Sequence, residues 1–118
     1  MNKEKKEQWI QAISWFEEIC EEFDYELKPL IDYMYQIKEN QFWDKYYPSF
    51  SHDSLGICKA KDFNDRLYTP MIYITYDSES DFFTIHYQEG QGNELSKETV
   101  EKEINDEITK RIQNWLEK

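Results

Sequence analysis

The sequence predicts a two-layer α+β domain in which a three-stranded antiparallel sheet packs against helices, in the order ααβββα. Two adjacent segments are rich in β-branched and aromatic residues, and amphipathic helical patterns lie before and after them. The 118 residues contain only three glycines and three prolines, which argues against a disordered chain. Because this length suffices for one hydrophobic core, residues 1–118 are expected to form a single domain.

The first forty residues are predicted to form two helices. From Lys3 to Asp24 the apolar residues recur at helical spacing, which indicates one buried stripe. Pro29 interrupts this pattern and fits the first turn of a helix better than its interior, so a second helix is expected from about Lys28 to Asn40. The predicted stripe of the first helix consists of Trp9, Ile10, Ile13, Phe16, Cys20 and Phe23.

The next segment, residues 41–50 (QFWDKYYPSF), is aromatic and irregular. We expect a loop that folds over an open end of the core. The alternative is an aromatic patch that contacts a partner, since Trp and Tyr are over-represented at binding hot spots. Residues Leu55 to Lys61 alternate in polarity and are predicted to form the first strand, with residues 62–69 as a longer connection.

A β-hairpin is predicted from Met71–Tyr76 and Phe82–Tyr87, and the rest of the domain is expected to pack on one of its faces. Alternation of side chains places the isoleucines at 72, 74 and 85 on the inward face. The acidic turn between the strands contains no glycine, so a loop of four or five residues is favoured over a tight two-residue turn.

The last predicted element is a helix that begins at Ser96. Ser96 has the side chain of a helix N-cap, and Leu95 and Val100 have the spacing of a hydrophobic staple. An apolar stripe then continues to Trp115, whereas the glycine-containing segment Glu89 to Glu94 is expected to be a loop.

The charge is strongly negative, with 25 acidic residues against 14 Lys and Arg and a formal net charge of −11. It is also clustered, because residues 77–107 carry ten acids and two lysines. Direct binding to nucleic acids or to anionic membranes is disfavoured, since both depend on cationic groups.

No apolar run approaches the roughly 20 residues that a membrane-spanning helix requires. The N-terminal lysines are not followed by the apolar stretch of a signal peptide, so we expect a cytoplasmic protein. Cys20 and Cys58 are then expected to be reduced thiols that act as small apolar groups.

The sequence contains no recognisable motif for metal, cofactor or phosphate binding, and no cofactor is predicted. His52, His86 and the two cysteines are isolated along the chain. An enzymatic alternative is a small hydrolase or transferase that uses His86 with Cys58 or with a carboxylate. The simpler interpretation of this pair is a packed thiol and a surface imidazole.

The clustered acids allow two further interpretations besides a solvated surface. They are interleaved with aromatic residues, as an electrostatically steered surface for a basic protein requires. A nucleic-acid mimic or regulatory adaptor is the other alternative, and it predicts carboxylates spaced along a line rather than in a compact patch. The candidate partner-binding residues are Trp43, Tyr73, Asp77, Glu79, Asp81, His86, Glu89 and Glu94.

In size, acidity, aromatic content and mixed α+β pattern the chain resembles the small acidic immunity proteins of bacterial polymorphic toxin and contact-dependent inhibition systems. The stretches that carry the resemblance are residues 73–81 (YITYDSESD) and 17–26 (EEICEEFDYE). The resemblance implies a cytosolic protein that binds and neutralises a cognate toxin domain, often a basic nuclease.

Overall fold

The computed structural model describes residues 3–51 and 53–118 and shows an α+β fold. Its five strands form one antiparallel sheet in the order β1-β2-β3-β4-β5, so the predicted number of three strands is wrong. The elements in chain order are α1 (Lys3–Phe23), α2 (Lys28–Gln36), α3 (Phe42–Lys45), β1 (Tyr47–Ser51), β2 (Ser54–Cys58), α4 (Phe63–Arg66), β3 (Met71–Asp77), β4 (Phe82–Gln88), β5 (Glu94–Glu101) and α5 (Asp106–Leu116).

The predicted hairpin is confirmed as β3 and β4, which form the centre of the core. Ile72 pairs with Tyr87, and Ile74 pairs with Ile85, and these four side chains are buried on the inner face of the sheet. Helices α1, α2 and α5 contribute to the same hydrophobic cluster. The outer face is partly solvated, and its end near Met71 is shielded by the connection between β2 and β3.

Helix α1 is confirmed with nearly the predicted bounds, but its buried stripe differs from the predicted one. Ile10 is 48% exposed because it projects from the side of the helix away from the core. Phe23 is 63% exposed because it is the last residue of the helix and extends past the core. The residues that α1 buries are Trp9, Ala12, Ile13, Phe16 and Ile19.

Helix α2 begins at Lys28 as predicted, with Pro29 in its first turn, and ends at Gln36, four residues before the predicted end. The predicted loop at residues 41–50 is wrong, because this segment forms α3 and the edge strand β1. Pro48 lies within β1 and is tolerated there because an edge strand has one side without a ladder partner.

The helix predicted to start at Ser96 is also wrong in its first half. Residues Glu94–Glu101 form β5, which pairs with β4 along its whole length. Helix α5 begins only at Asp106, where the Asn105 side chain accepts a hydrogen bond of 2.9 Å from the backbone N–H of Ile108. Pairing with β4 therefore outweighs the local capping pattern, because tertiary context overrides weak intrinsic propensities.

Candidate functional site

The joint between α1 and α2 turns the chain sharply at residues 24–27. Asp24 adopts a left-handed conformation with φ of 57°, which commonly ends a helix. Leu27 then enters the core, whereas Tyr25 remains 47% exposed with its ring 6.1 Å from that of Phe23. The joint thus presents two neighbouring aromatic rings at the surface beside the acidic end of α1.

The turn between β3 and β4 has four residues, as the missing glycine predicted. The Asp77 carboxylate accepts hydrogen bonds from the backbone N–H of Glu79 (3.1 Å) and the hydroxyl of Ser80 (3.0 Å). Asp81 adopts a left-handed φ of 59°, and its carboxylate accepts a bond of 2.5 Å from the Tyr76 hydroxyl. Of the five acids predicted to bind a partner, three lie here, and two of these three, Asp77 and Asp81, also hold the turn in shape.

The end of α1, the joint and the start of α2 line an open groove of about 750 Å³ together with Tyr76, which lies just before the β3–β4 turn. Apolar groups contribute much of its lining, and carboxylates stand among them. We call residues 17–26 and 77–81 together the acidic end of the molecule. The groove is lined by Glu17, Cys20, Glu21, Tyr25, Glu26, Leu27, Lys28, Pro29, Ile31 and Tyr76.

Carboxylates from both acidic segments raise the pKa of the same side chain, Tyr76. The pKa of Tyr76 is raised to about 12, first by its hydrogen bond to Asp81, then by desolvation and by the charges of Asp81, Glu26 and Asp77. Two lysines lie nearby. Lys28 pairs with Asp32 at 2.9 Å, and the backbone N–H of Lys102 bonds to the Asp81 carbonyl.

Residues 17–26 carry part of the family resemblance, but none of them is among the partner-binding residues predicted from the sequence. The acidic and aromatic residues of this stretch are visible in the sequence, and they are the signal that could have identified it as a binding surface. The contact with Tyr76 spans about fifty residues of chain, and only the packing of α1 against the sheet reveals it.

Glu89 and Glu94 lie at the opposite end of the sheet from Asp77, Glu79 and Asp81, because the two turns flank the two ends of β4. Glu94 is engaged locally, since its Oε1 lies 2.5 Å from Nδ1 of His86 on the outer face. The structure thus separates the predicted carboxylates into two groups.

Tyr73 lies on the outer face of the sheet, paired across the ladders with Gly56 and His86. It is half-buried, and a Cβ on Gly56 would come within 2.8 Å of its Cε1 atom. The ring therefore lies close against the β2 backbone, away from the groove.

Trp43, predicted as a surface anchor, is only 3% exposed. Its indole N–H donates a hydrogen bond of 3.0 Å to the Met34 carbonyl, and its ring stacks on Trp9 at 5.9 Å. This burial is at odds with a surface role, because the aromatic residues of this segment fill the core beneath α1.

The Cys58–His86 pair proposed for an enzyme lies on one face of the sheet but on strands separated by β3. The Cys58 thiol contacts the Pro70 carbonyl at 3.6 Å, and burial raises its pKa. Thiolate formation is thereby disfavoured, and the hydrogen bond that the structure gives the His86 ring is to Glu94.

Within residues 3–51 and 53–118, no three or more His, Cys, Asp or Glu side chains are grouped so that they could ligate a metal ion. In the same part of the chain, no helix combines the length and apolarity needed to cross a bilayer. His52, considered above as an isolated histidine, lies outside the described residues.

Comparison of the chain with protein-family models, with curated proteins and with solved structures finds no match.

Proposed function

We propose that this chain is a cytoplasmic binding protein that neutralises a cognate basic bacterial toxin domain, such as a nuclease, through its acidic end. The observation that supports this proposal most directly is that Glu17, Glu21 and Glu26 line one groove with Tyr76, on which Glu26 and the turn residues Asp77 and Asp81 also act. Acids distant in the sequence are thereby concentrated on one part of the surface. Exposed aromatic side chains, Phe23 and Tyr25, stand among them.

Such an arrangement suits rapid and specific association with a cationic protein. A concentrated negative patch steers the diffusional encounter, while aromatic groups supply the apolar contact that holds the complex together. The net charge of −11 extends this attraction beyond the patch itself. Covering the active site or substrate cleft of the toxin would then inhibit it.

The alternatives have weaker support in the geometry. A hydrolase or transferase would have to use His86 with Glu94, but His86 lies on the partly solvated outer face and does not line the acidic groove. A nucleic-acid mimic predicts carboxylates along a line, whereas acids from a helix end, the joint and the β3–β4 turn here lie on several sides of Tyr76.

The test is co-expression with the toxin domain encoded beside the gene for this chain. We expect growth to be restored and the purified domains to form a complex. Association should slow by about tenfold or more between about 50 and 500 mM salt, because the long-range attraction is screened. An acidic neighbouring gene product, a toxin that remains active in the complex, or an association rate that salt leaves unchanged would refute the proposal.

A matched pair of triple variants locates the effect. Replacing Glu17, Glu21 and Glu26 by Gln should slow association strongly, because these acids line the groove. Replacing Glu7, Glu39 and Glu107 by Gln removes the same charge from exposed positions elsewhere and should have a smaller effect.

A further inference from the structure

We propose that the groove between α1, α2 and Tyr76 of β3 is the docking site for a cationic amphipathic segment of the partner. One apolar or aromatic side chain of that segment enters the groove, and Lys or Arg residues beside it meet the carboxylates at the rim. This proposal rests on the proposed function and specifies the part of the partner that the acidic end receives.

The groove can hold an apolar side chain because much of its lining is apolar. Leu27 and Ile31 belong to the hydrophobic core or pack against it, and Pro29 and Cys20 extend the apolar lining toward the surface. The groove is open to solvent, and its volume of about 750 Å³ leaves room for one bulky apolar side chain and the segment that carries it. Filling the groove would remove this surface from water, which is the main source of binding free energy for apolar contacts.

The sheet contributes Tyr76 to the wall of the groove, and two contacts hold this side chain in place. The Tyr76 hydroxyl donates to Asp81, and its ring lies 4.9 Å from that of Phe83. A side chain fixed at both its ring and its hydroxyl loses little freedom on binding, which favours affinity.

Aromatic side chains stand at the edge of the groove, where they would contact an aromatic or aliphatic side chain of a bound segment. Tyr25 lines the groove and is 47% exposed, and Phe23 lies beside it. Large aromatic side chains surrounded by charged ones form the usual pattern of a hot spot with a polar rim.

Charge then selects among the possible occupants. Glu17, Glu21 and Glu26 line the groove, and the lysine that also lines it, Lys28, is paired with Asp32. A second copy of this chain, with a net charge of −11, would be repelled, as would an anionic membrane. A basic protein segment is the occupant that satisfies both the apolar lining and the acidic rim.

The first experiment titrates the full-length, isotope-labelled protein with synthetic peptides and follows its backbone amides by NMR. The probe is a helical peptide of about 15 residues with Leu on one face and Arg on the other. A scrambled peptide of identical composition is the control. We expect shifts centred on Cys20, Tyr25, Ile31 and Tyr76, and binding at least about tenfold weaker for the scrambled peptide. Equal binding of both peptides, or shifts centred elsewhere, would overturn the proposal.

Variants of the lining supply the second experiment. Ile31→Ser should weaken peptide binding by about tenfold, because it places a polar group in the apolar lining. Tyr25→Ser removes the exposed ring without disturbing the core, so it tests the groove even if Ile31→Ser unfolds the protein. Tyr68→Ser, at an 85% exposed position outside the groove, is the matched control and should bind as the wild type does. Unchanged peptide binding by Tyr25→Ser would overturn the docking site.

The cognate toxin separates this proposal from the broader one. If Tyr25→Ser neutralises the toxin with undiminished affinity while the triple-Gln groove variant associates slowly, the docking site is refuted and the proposed function stands. If the wild type fails to neutralise the toxin, the proposed function is refuted, whereas peptide binding in the groove still decides the docking site.

Discussion

At the scale of single residues, the two buried tryptophans each have a hydrogen-bond partner for the indole N–H. Trp9 and Trp43 are buried, and each indole N–H donates to a backbone carbonyl, of Tyr46 and Met34 respectively. Phe23 and Tyr25 remain exposed. Composition alone predicted an aromatic-rich core but gave no means of telling core tryptophans from surface anchors.

Trp43→Phe should therefore destabilise the fold without weakening partner binding. The shorter ring leaves a void beside Trp9 and leaves the Met34 carbonyl without its donor, so we expect a loss of about 2–3 kcal/mol in the free energy of unfolding. Denaturant unfolding measures the loss, and Tyr68→Ser is again the exposed control, with little expected change. A Trp43→Phe protein of unchanged stability but much weaker toxin binding would restore the surface role that the sequence suggested.

Gly56 is required by the close approach of two side chains on the outer face. An added Cβ would overlap the Ser49 hydroxyl and lie 2.8 Å from Tyr73 Cε1. Gly56→Ala should lower the free energy of unfolding by about 1–3 kcal/mol, as other overpacked sites do. The cost should shrink in a Ser49→Gly background, which a double-mutant cycle measures. An equal cost in both backgrounds would mean that Ser49 is not the obstacle.

At the scale of elements, helix α5 is tied to the edge strand β5 by charged groups. Arg111 donates two hydrogen bonds to Glu98, at 3.1 and 2.8 Å, and the Tyr87 hydroxyl donates to the same carboxylate. The hydrogen bond from Arg111 is the main reason that the pKa of Glu98 lies below its usual range. The pair joins two elements that the sequence had merged into one helix.

Arg111→Gln should cost about 1 kcal/mol at neutral pH, the upper range for a partly exposed ion pair with two hydrogen bonds. Because the folded-state pKa of Glu98 is depressed, its contribution to stability is present above the unfolded-state pKa and is lost as pH falls through the folded-state value. The difference between wild type and variant should therefore shrink below about pH 4. Unfolding curves at several pH values test this, with Lys110→Gln on the same helix as control. A difference that is constant with pH would contradict it.

The sequence predicted the elements whose signals are local and strong. The β-branched and aromatic residues of β3 and β4 predicted these strands nearly to their observed bounds, and Pro29 predicted where α2 begins. The strands β1 and β5 were not predicted, because an edge strand forms by pairing with the neighbouring strand and its own sequence carries little signal. Ser96 and Leu95 carry the local chemistry of a helix start, yet the free edge of β4 offers residues 94–101 a full set of backbone partners.

At the scale of the whole molecule, charge is distributed between the two ends of the sheet. The acidic end collects carboxylates from α1, the joint and the β3–β4 turn. At the other end, acids pair with lysines, as Glu4 does with Lys61 and Glu117 with Lys59. The sequence showed the amount of negative charge and both acidic segments, but the joining of the two segments depends on packing.

Because β5 is an edge strand, it also affects how readily the protein aggregates. Its outer edge is eight residues long, and an open edge of that length is a template for adding strands from other molecules. Glu94 and Glu101 place negative charge at this edge, and the irregular register near Gln88 interrupts the ladder. The isoelectric point expected from the sequence is about 4.6. Because the net repulsion between molecules is lost near that pH, concentrated samples held there should form β-rich fibrils or precipitates sooner than samples at pH 7. Light scattering and a dye that binds β-rich aggregates measure this process. Faster aggregation at pH 7 would argue against a role for the open edge of β5.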